Sequence, residues 1–304
     1  MIIQQIKWFF SRVAVIYLVI FIFCLTCLDL KTLDERIKVR RLNSAARDFS
    51  QLILFEKGLM AKDEKVSWQG YKDYFELILQ YVPDDMIAKQ FLGYVSYYVG
   101  DEARAIKLYK DVAQLGGQDV FWPDYNLGVI YYKKGMWTES AQYLFKAIGA
   151  NPKLTAFLVQ TSIIYRQVSA SPYFKYTYGQ QLENALEKSY ILLLSTLNHL
   201  KQYDKMIILA NSALGRGLPC KDALYLYLGV GLLEEGQLAQ AEQFFQKSLL
   251  IEKNNPEVYY YMANIYKTMG RLKEAQNLLE VSLMLHRQNN PRFPYDRSIN
   301  PRFF

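Results

Sequence analysis

Apolar residues recur along most of this chain at the three- and four-residue spacing of amphipathic helices. Between residues 86 and 289, small residues punctuate this pattern at fixed distances. A small residue is followed by glycine seven positions later and by another small residue after five more. The triplet occurs four times: Gly93, Gly100, Ala105; Gly128, Gly135, Ser140; Gly229, Gly236, Ala241; and Ala263, Gly270, Ala275. The repeat distance of 34 to 35 residues predicts a stacked array of helix pairs.

Each member of the triplet has a physical role in this prediction. Glycine inside a helix costs about 1 kcal/mol relative to alanine, so the first glycine needs a packing reason. We expect it to meet the small residue twelve positions later on the second helix, where the two backbones approach closely. The middle glycine is expected to end the first helix in a left-handed conformation.

The four units resemble tetratricopeptide repeats, a family of 34-residue helix–turn–helix units. They span residues 86–119, 121–154, 222–255 and 256–289, and they carry large apolar residues where the family fills the space between helices. The resemblance implies an all-α fold, a right-handed superhelical solenoid. Such arrays usually bind other proteins and rarely perform chemistry.

The middle of the array is less regular. If the spacing continues, a unit at 155–186 has a first helix through Tyr165, then a loop or degenerate helix over 169–179. The irregular segment near 166–182 is either an insertion that contacts a partner or a decayed repeat. A long helix is predicted from about 181 to 200. In the unit 187–220, Leu194 and Met206 replace the small pair, which predicts a local change in curvature.

The N-terminus predicts a membrane anchor within residues 1–30. Residues 8–28 form an apolar stretch of about 31 Å as a helix, which matches a bilayer core. A cleaved signal peptide is the alternative, but no small-x-small cleavage site follows. Basic residues flank both sides, and we favour an extracytoplasmic, periplasmic domain on a bacterial inner membrane. A domain facing the cytoplasm is the alternative.

Two further segments flank the array. Residues 31–85 are helical by periodicity and are interpreted as a divergent N-terminal repeat, with 37–60 as its first helix and 68–70 as its turn. The basic and aromatic tail, 290–304, contains three prolines and should not form a helix. Folding back onto the array and docking onto a partner are possible for the tail, and a disordered tail is favoured.

The resemblance also implies a binding groove. In this family, set positions of each first helix line the concave face, and here they give an aromatic set with few charges. The implied groove residues are Tyr94, Tyr97, Tyr98, Trp122, Tyr125, Tyr132, Lys133, Tyr260, Asn264 and Lys267. Tyrosine and tryptophan dominate binding hot spots, which favours an extended peptide or a helix as the partner. Packing of these rings against neighbouring units is the alternative.

Composition narrows the function further. A hydrophobic content of 51% excludes wholesale disorder, and the net charge of +7 without long basic runs disfavours a nucleic-acid binder. Neither His199 nor His286 has a partner at metal-ligand spacing, and no phosphate loop or nucleophile elbow occurs. We therefore expect no enzyme activity, no cofactor, no metal and no small-molecule substrate.

The predicted function is that of a membrane-anchored scaffold for protein–protein interactions. A chaperone or assembly factor is the alternative, and an enzyme regulatory subunit is a third possibility.

Overall fold

The structure, a computed structural model, describes residues 65–116, 121–150, 172–288 and 294–295. The chain divides into two compact units, 1–49 and 50–304, and every described residue belongs to the second. The described residues form helices and no strands, as the repeat pattern predicted. The helices are α1 Trp68–Tyr81, α2 Met86–Tyr98, α3 Glu102–Gly116, α4 Phe121–Lys133, α5 Trp137–Gly149, α6 Pro172–His199, α7 Tyr203–Gly215, α8 Lys221–Glu234, α9 Leu238–Ile251, α10 Pro256–Thr268 and α11 Leu272–Arg287.

Four helix pairs pack as the sequence predicted. The closest associations are α2 with α3, α4 with α5, α8 with α9, and α10 with α11, and each second helix also packs on the next first helix where both are described. The described parts of the four predicted units are therefore helix pairs.

The turn inside each pair is closed by the predicted glycine. Gly100, Gly135, Gly236 and Gly270 have φ between +71° and +88°, which only glycine adopts without strain. In the first pair, Gly100 N–H donates to the Tyr97 carbonyl at 3.1 Å and Asp101 N–H donates to the Ser96 carbonyl at 2.8 Å. This is the Schellman arrangement, which satisfies carbonyls at the end of a helix.

In the three triplets that begin with glycine, the nearest atoms beside that glycine belong to a large residue that the sequence pattern did not single out. A Cβ added to Gly229 would lie 2.5 Å from the Phe245 ring, and one on Gly128 would lie 2.6 Å from the Leu144 side chain. The space beside the glycine is thus filled by the large residue sixteen positions later. The small residue twelve positions later is also near in one unit, since Ser140 Oγ donates to the Gly128 carbonyl at 2.9 Å.

The centre of the array holds the largest departure from the sequence-based prediction. The long helix α6 begins at Pro172, nine residues before the predicted start, so the loop interpretation is wrong for 172–179. Its C-terminal half contacts α4 and α5, and the predicted first helix of the unit 155–186 lies outside the described residues. Tyr132 Oη lies 2.7 Å from Ser195 Oγ, and the Trp137 and His199 rings stack at 4.1 Å.

The two ends of the described chain also differ from expectation. Residues 68–70, predicted to be a turn, form the first turn of α1, which packs on α2. At the other end, Tyr295 is buried and donates to Asp222 Oδ2 at 2.8 Å, while Asn255 Nδ2 donates to Tyr295 Oη at 2.9 Å. The favoured prediction of a disordered tail is therefore wrong at residues 294–295, which fold back onto the array.

The predicted anchor at residues 8–28 and the predicted first helix at 37–60 lie outside the described residues. Within the described ranges, none of the helices combines the length and apolar character needed to cross a bilayer. The curvature change predicted from Leu194 and Met206 stays a prediction, although both side chains are fully buried.

Candidate functional site: the inner face of the first helices

The residues that the sequence placed in the groove lie on first helices but differ sharply in exposure. Tyr94, Trp122 and Tyr125 are buried, with at most 3% of each exposed. The remaining residues are half-buried or exposed. Half-buried are Tyr97, Tyr98, Tyr132 and Asn264; exposed are Lys133, Tyr260 and Lys267. The ten residues therefore do not form one continuous open surface.

Helix α4 shows how the interior of the array is packed. Every residue from Phe121 to Tyr131 is buried. One side of the helix meets α5 through Gly128 and Leu144, and another meets α3 through Leu127 and Ile130. A helix that is buried all round belongs to a core rather than to a surface.

Helix α10, in contrast to α4, is exposed along one face. Its buried residues are Pro256, Val258, Met262, Ala263 and Ile265, which face the rest of the array. Tyr260, Asn264 and Lys267 lie three and four residues apart, so they share the opposite face of the helix. Tyr260 is 48% exposed, whereas Tyr125, at the same position of its repeat, is 0% exposed. Among the described residues, no further first helix follows α10, and this leaves one more side of α10 uncovered.

Two aromatic clusters join neighbouring helices. Trp68 of α1 stacks on Tyr98 with ring centroids 5.1 Å apart, and Tyr94 lies 4.7 Å from Tyr98. At the junction with α6, His199 stacks on Trp137 and lies 6.1 Å from the Tyr132 ring. The sequence analysis missed Trp68 and His199 as members of these clusters, because their partners are set by helix packing.

Burial perturbs the ionisable groups of α4. Asp124 is 2% exposed, and burial raises its pKa to about 7, although Lys146 opposes the shift. Partial desolvation also lowers the pKa of Lys133, although its side chain is largely exposed. Asp124 Oδ1, Trp122 Nε1 and both polar atoms of the Gln90 carboxamide are buried without a hydrogen-bond partner. Such groups are costly to leave unsatisfied, which marks this part of the inner face as desolvated.

Groups suited to chemistry are scarce in the described part of the chain. No group of three or more histidine, cysteine, aspartate or glutamate side chains is placed to hold a metal ion among the described residues. The thiol of Cys220 is buried, and burial raises its pKa to about 12. Such a thiol remains protonated at neutral pH and is a poor nucleophile.

Comparison with known proteins agrees with the helix pairs. A family model described as tetratricopeptide repeat matches residues 232–293, which cover the end of α8, all of α9 and the last unit. Residues 232–293 are thus similar to tetratricopeptide repeats. No protein with a curated description matches its sequence.

Several solved structures resemble this repeat protein. MamA 41-end from Desulfovibrio magneticus RS-1 is 14% identical, with a TM-score of 0.48 over 68% of this chain and 98% of the other. A second structure, titled as that of MamA protein, is 17% identical, with a TM-score of 0.48 over 72% of this chain and 100% of the other. YrrB, described as a TPR protein with an unusual peptide-binding site, is 16% identical, with a TM-score of 0.49 over 70% of this chain and 92% of the other.

Proposed function

We propose that this repeat protein is a membrane-anchored scaffold that binds protein partners through the open inner face of its last repeat. The observation that carries the proposal is the shared exposed face of α10, with Tyr260, Asn264 and Lys267. An aromatic ring, an amide and an ammonium group side by side are suited to a polypeptide. The ring packs on apolar side chains, the amide bonds to backbone groups, and the lysine pairs with a carboxylate.

The proposed ligand is an extended peptide or a helix. Upstream, Tyr125 of α4 occupies the repeat position of Tyr260 and Tyr94 of α2 occupies that of Asn264, and both are buried and leave little surface for a partner. The interaction is therefore assigned to the C-terminal part of the array. Its basic residue favours a segment with at least one acidic side chain or a free carboxylate.

The proposal places the anchor at residues 8–28 and the array on the extracytoplasmic side of a bacterial inner membrane. The length of the apolar stretch supports this assignment. A fusion of alkaline phosphatase at residue 60 should be active, because that enzyme works only outside the cytoplasm. A silent fusion would place the array in the cytoplasm instead.

No catalytic role is proposed. The buried thiol of Cys220, with its pKa raised to about 12, and the stacking of His199 on Trp137 support a structural role for these two side chains.

The test is recovery of partners with the gently solubilised full-length protein. We expect one or two proteins in stoichiometric amounts, and we expect Tyr260→Ala with Lys267→Glu to reduce their recovery at least about tenfold, as for a binding hot spot. Lys273→Glu, an exposed charge change on α11, is the matched control and should leave recovery unchanged. Weak recovery of many unfolded clients would instead indicate a chaperone or assembly factor.

A further inference from the structure

The C-terminal end of the array carries a second surface, distinct from the inner face. We propose that this end, formed by α11, binds an amphipathic helix of a partner protein, which stacks there as the first helix of a next repeat would. This inference goes beyond the proposed function, because it concerns another set of residues and another form of ligand.

The preceding repeat shows what such an interface looks like. The second helix α9 has Leu238, Phe245 and Leu249 along one side, packs on α10, and keeps the first and last of these side chains half-buried. The Phe245 ring is fully buried and stacks on the Tyr261 ring at 5.9 Å. Nearby, Tyr266 Oη donates to Glu242 Oε1 at 2.7 Å. A row of apolar side chains, one aromatic stack and one hydrogen bond thus define the contact.

The same row is present on α11 but is uncovered. Residues 34 positions after those of α9 are Leu272, Leu279 and Leu283, and they are 65%, 37% and 55% exposed. Three leucines exposed on one side of a helix are unusual for a surface that faces only water. The row continues the repeating interface of the array, and it keeps the apolar residue types that α10 covers one repeat earlier.

The neighbouring residues indicate the chemistry of the ligand. Beside Leu283, a depression is lined by Glu280, Met284 and Arg287, so an apolar floor has one acidic and one basic group at its rim. Gln276 occupies the same repeat position as Glu242, and its side-chain carbonyl offers a hydrogen-bond acceptor at the corresponding point along the helix. The partner helix that fits this surface therefore has an apolar stripe that includes an aromatic residue. A hydroxyl or another hydrogen-bond donor lies beside that stripe. Amphipathic helices bind hydrophobic grooves in this way.

The first experiment uses the full-length protein and a stapled helical peptide that corresponds to residues 255–269, the first helix of the last repeat. We expect saturable binding by fluorescence anisotropy. Leu279→Glu and Leu283→Glu should each weaken binding at least about tenfold, because a carboxylate would be desolvated in the contact. A peptide with Tyr261→Ser should also bind more weakly.

The control is Leu250→Glu. Leu250 is 78% exposed on α9 and lies outside the row, so this variant should bind like the unmodified protein. Circular dichroism verifies that all variants keep their helices. Absence of saturable binding, or equal binding by the Leu283→Glu variant, overturns the proposal. Concentration-dependent self-association that Leu283→Glu abolishes also overturns it, because the occupant would then be a second copy of this chain. None of these protein variants changes Tyr260 or Lys267, so the proposed function is tested separately.

Discussion

Helices α4 and α10 are first helices of the same repeat type, yet one lies in a core and the other at a surface. Tyr125 and Tyr260 occupy the same repeat position and are 0% and 48% exposed. The difference arises from neighbours. Helix α4 lies against α3, α5 and α6, whereas among the described helices α10 is the last first helix of the stack. In a solenoid, the place of a repeat in the array therefore determines whether the residue at a given repeat position is buried or exposed.

The largest expected contrast comes from truncating these two tyrosines. Tyr125→Ala should destabilise the protein by about 3–5 kcal/mol, because it leaves a cavity in a fully buried site. Tyr260→Ala should change stability by no more than about 0.5 kcal/mol. Urea unfolding followed by circular dichroism measures both values. Equal losses would show that the two helices are packed alike.

The contact between the first-helix glycine and the large residue sixteen positions later gives a second contrast, between the interior repeats and the last repeat. Gly229→Ala should destabilise by roughly 1–3 kcal/mol, despite the better helix propensity of alanine, because its Cβ would lie 2.5 Å from the Phe245 ring. The last repeat already has Ala263 and Leu279 at these two positions. Adding Phe245→Leu to Gly229→Ala should therefore recover part of the loss. A double variant less stable than Gly229→Ala alone would contradict the assigned contact.

The tail contact is expected to have a somewhat smaller effect. Tyr295→Phe removes the hydrogen bonds with Asp222 and Asn255 and should cost about 1–2 kcal/mol, since one of them involves a carboxylate. Tyr259→Phe removes an exposed bond to the Lys253 carbonyl and serves as the control. Thermal unfolding monitors both. If the two variants melt at the same temperature, the tail does not contribute to the stability of the last two repeats.

The smallest predicted effect is a stabilisation at the junction. Lys201 has φ +54° in the turn between α6 and α7, where the regular repeats have glycine. Lys201→Gly should stabilise by about 0.5–1 kcal/mol, because the left-handed conformation is strained for lysine. The same change at exposed Lys205, inside α7, should destabilise by about 1 kcal/mol. A loss of stability on Lys201→Gly would contradict the turn geometry.

Local features of the fold could be predicted from the sequence, because they depend on residues close together along the chain. Gly100 and Gly135 mark the turns, and the apolar spacing marks the pairs. The turn at Lys201 carries no glycine signal. The contact between Tyr132 and Ser195 joins residues 63 positions apart, and no local pattern indicates it. Tyr295 likewise binds Asp222, 73 positions away.

The candidate site was predicted less well for the same reason. The repeat position of Tyr94, Trp122 and Tyr260 places them on first helices. It does not determine which of these side chains will be covered by neighbouring helices. The exposed row on α11 was not anticipated, because in sequence Leu279 and Leu283 resemble ordinary core residues. Exposure is a property of the assembled array, and only packing reveals it.

The central claim is that the array is closed at α4 and open at α10. Hydroxyl-radical footprinting of the full-length protein, read by mass spectrometry, tests it at two matched tyrosines in one experiment. The account predicts that Tyr260 is oxidised many times faster than Tyr125. Comparable rates at the two tyrosines, in protein that remains helical, would contradict it.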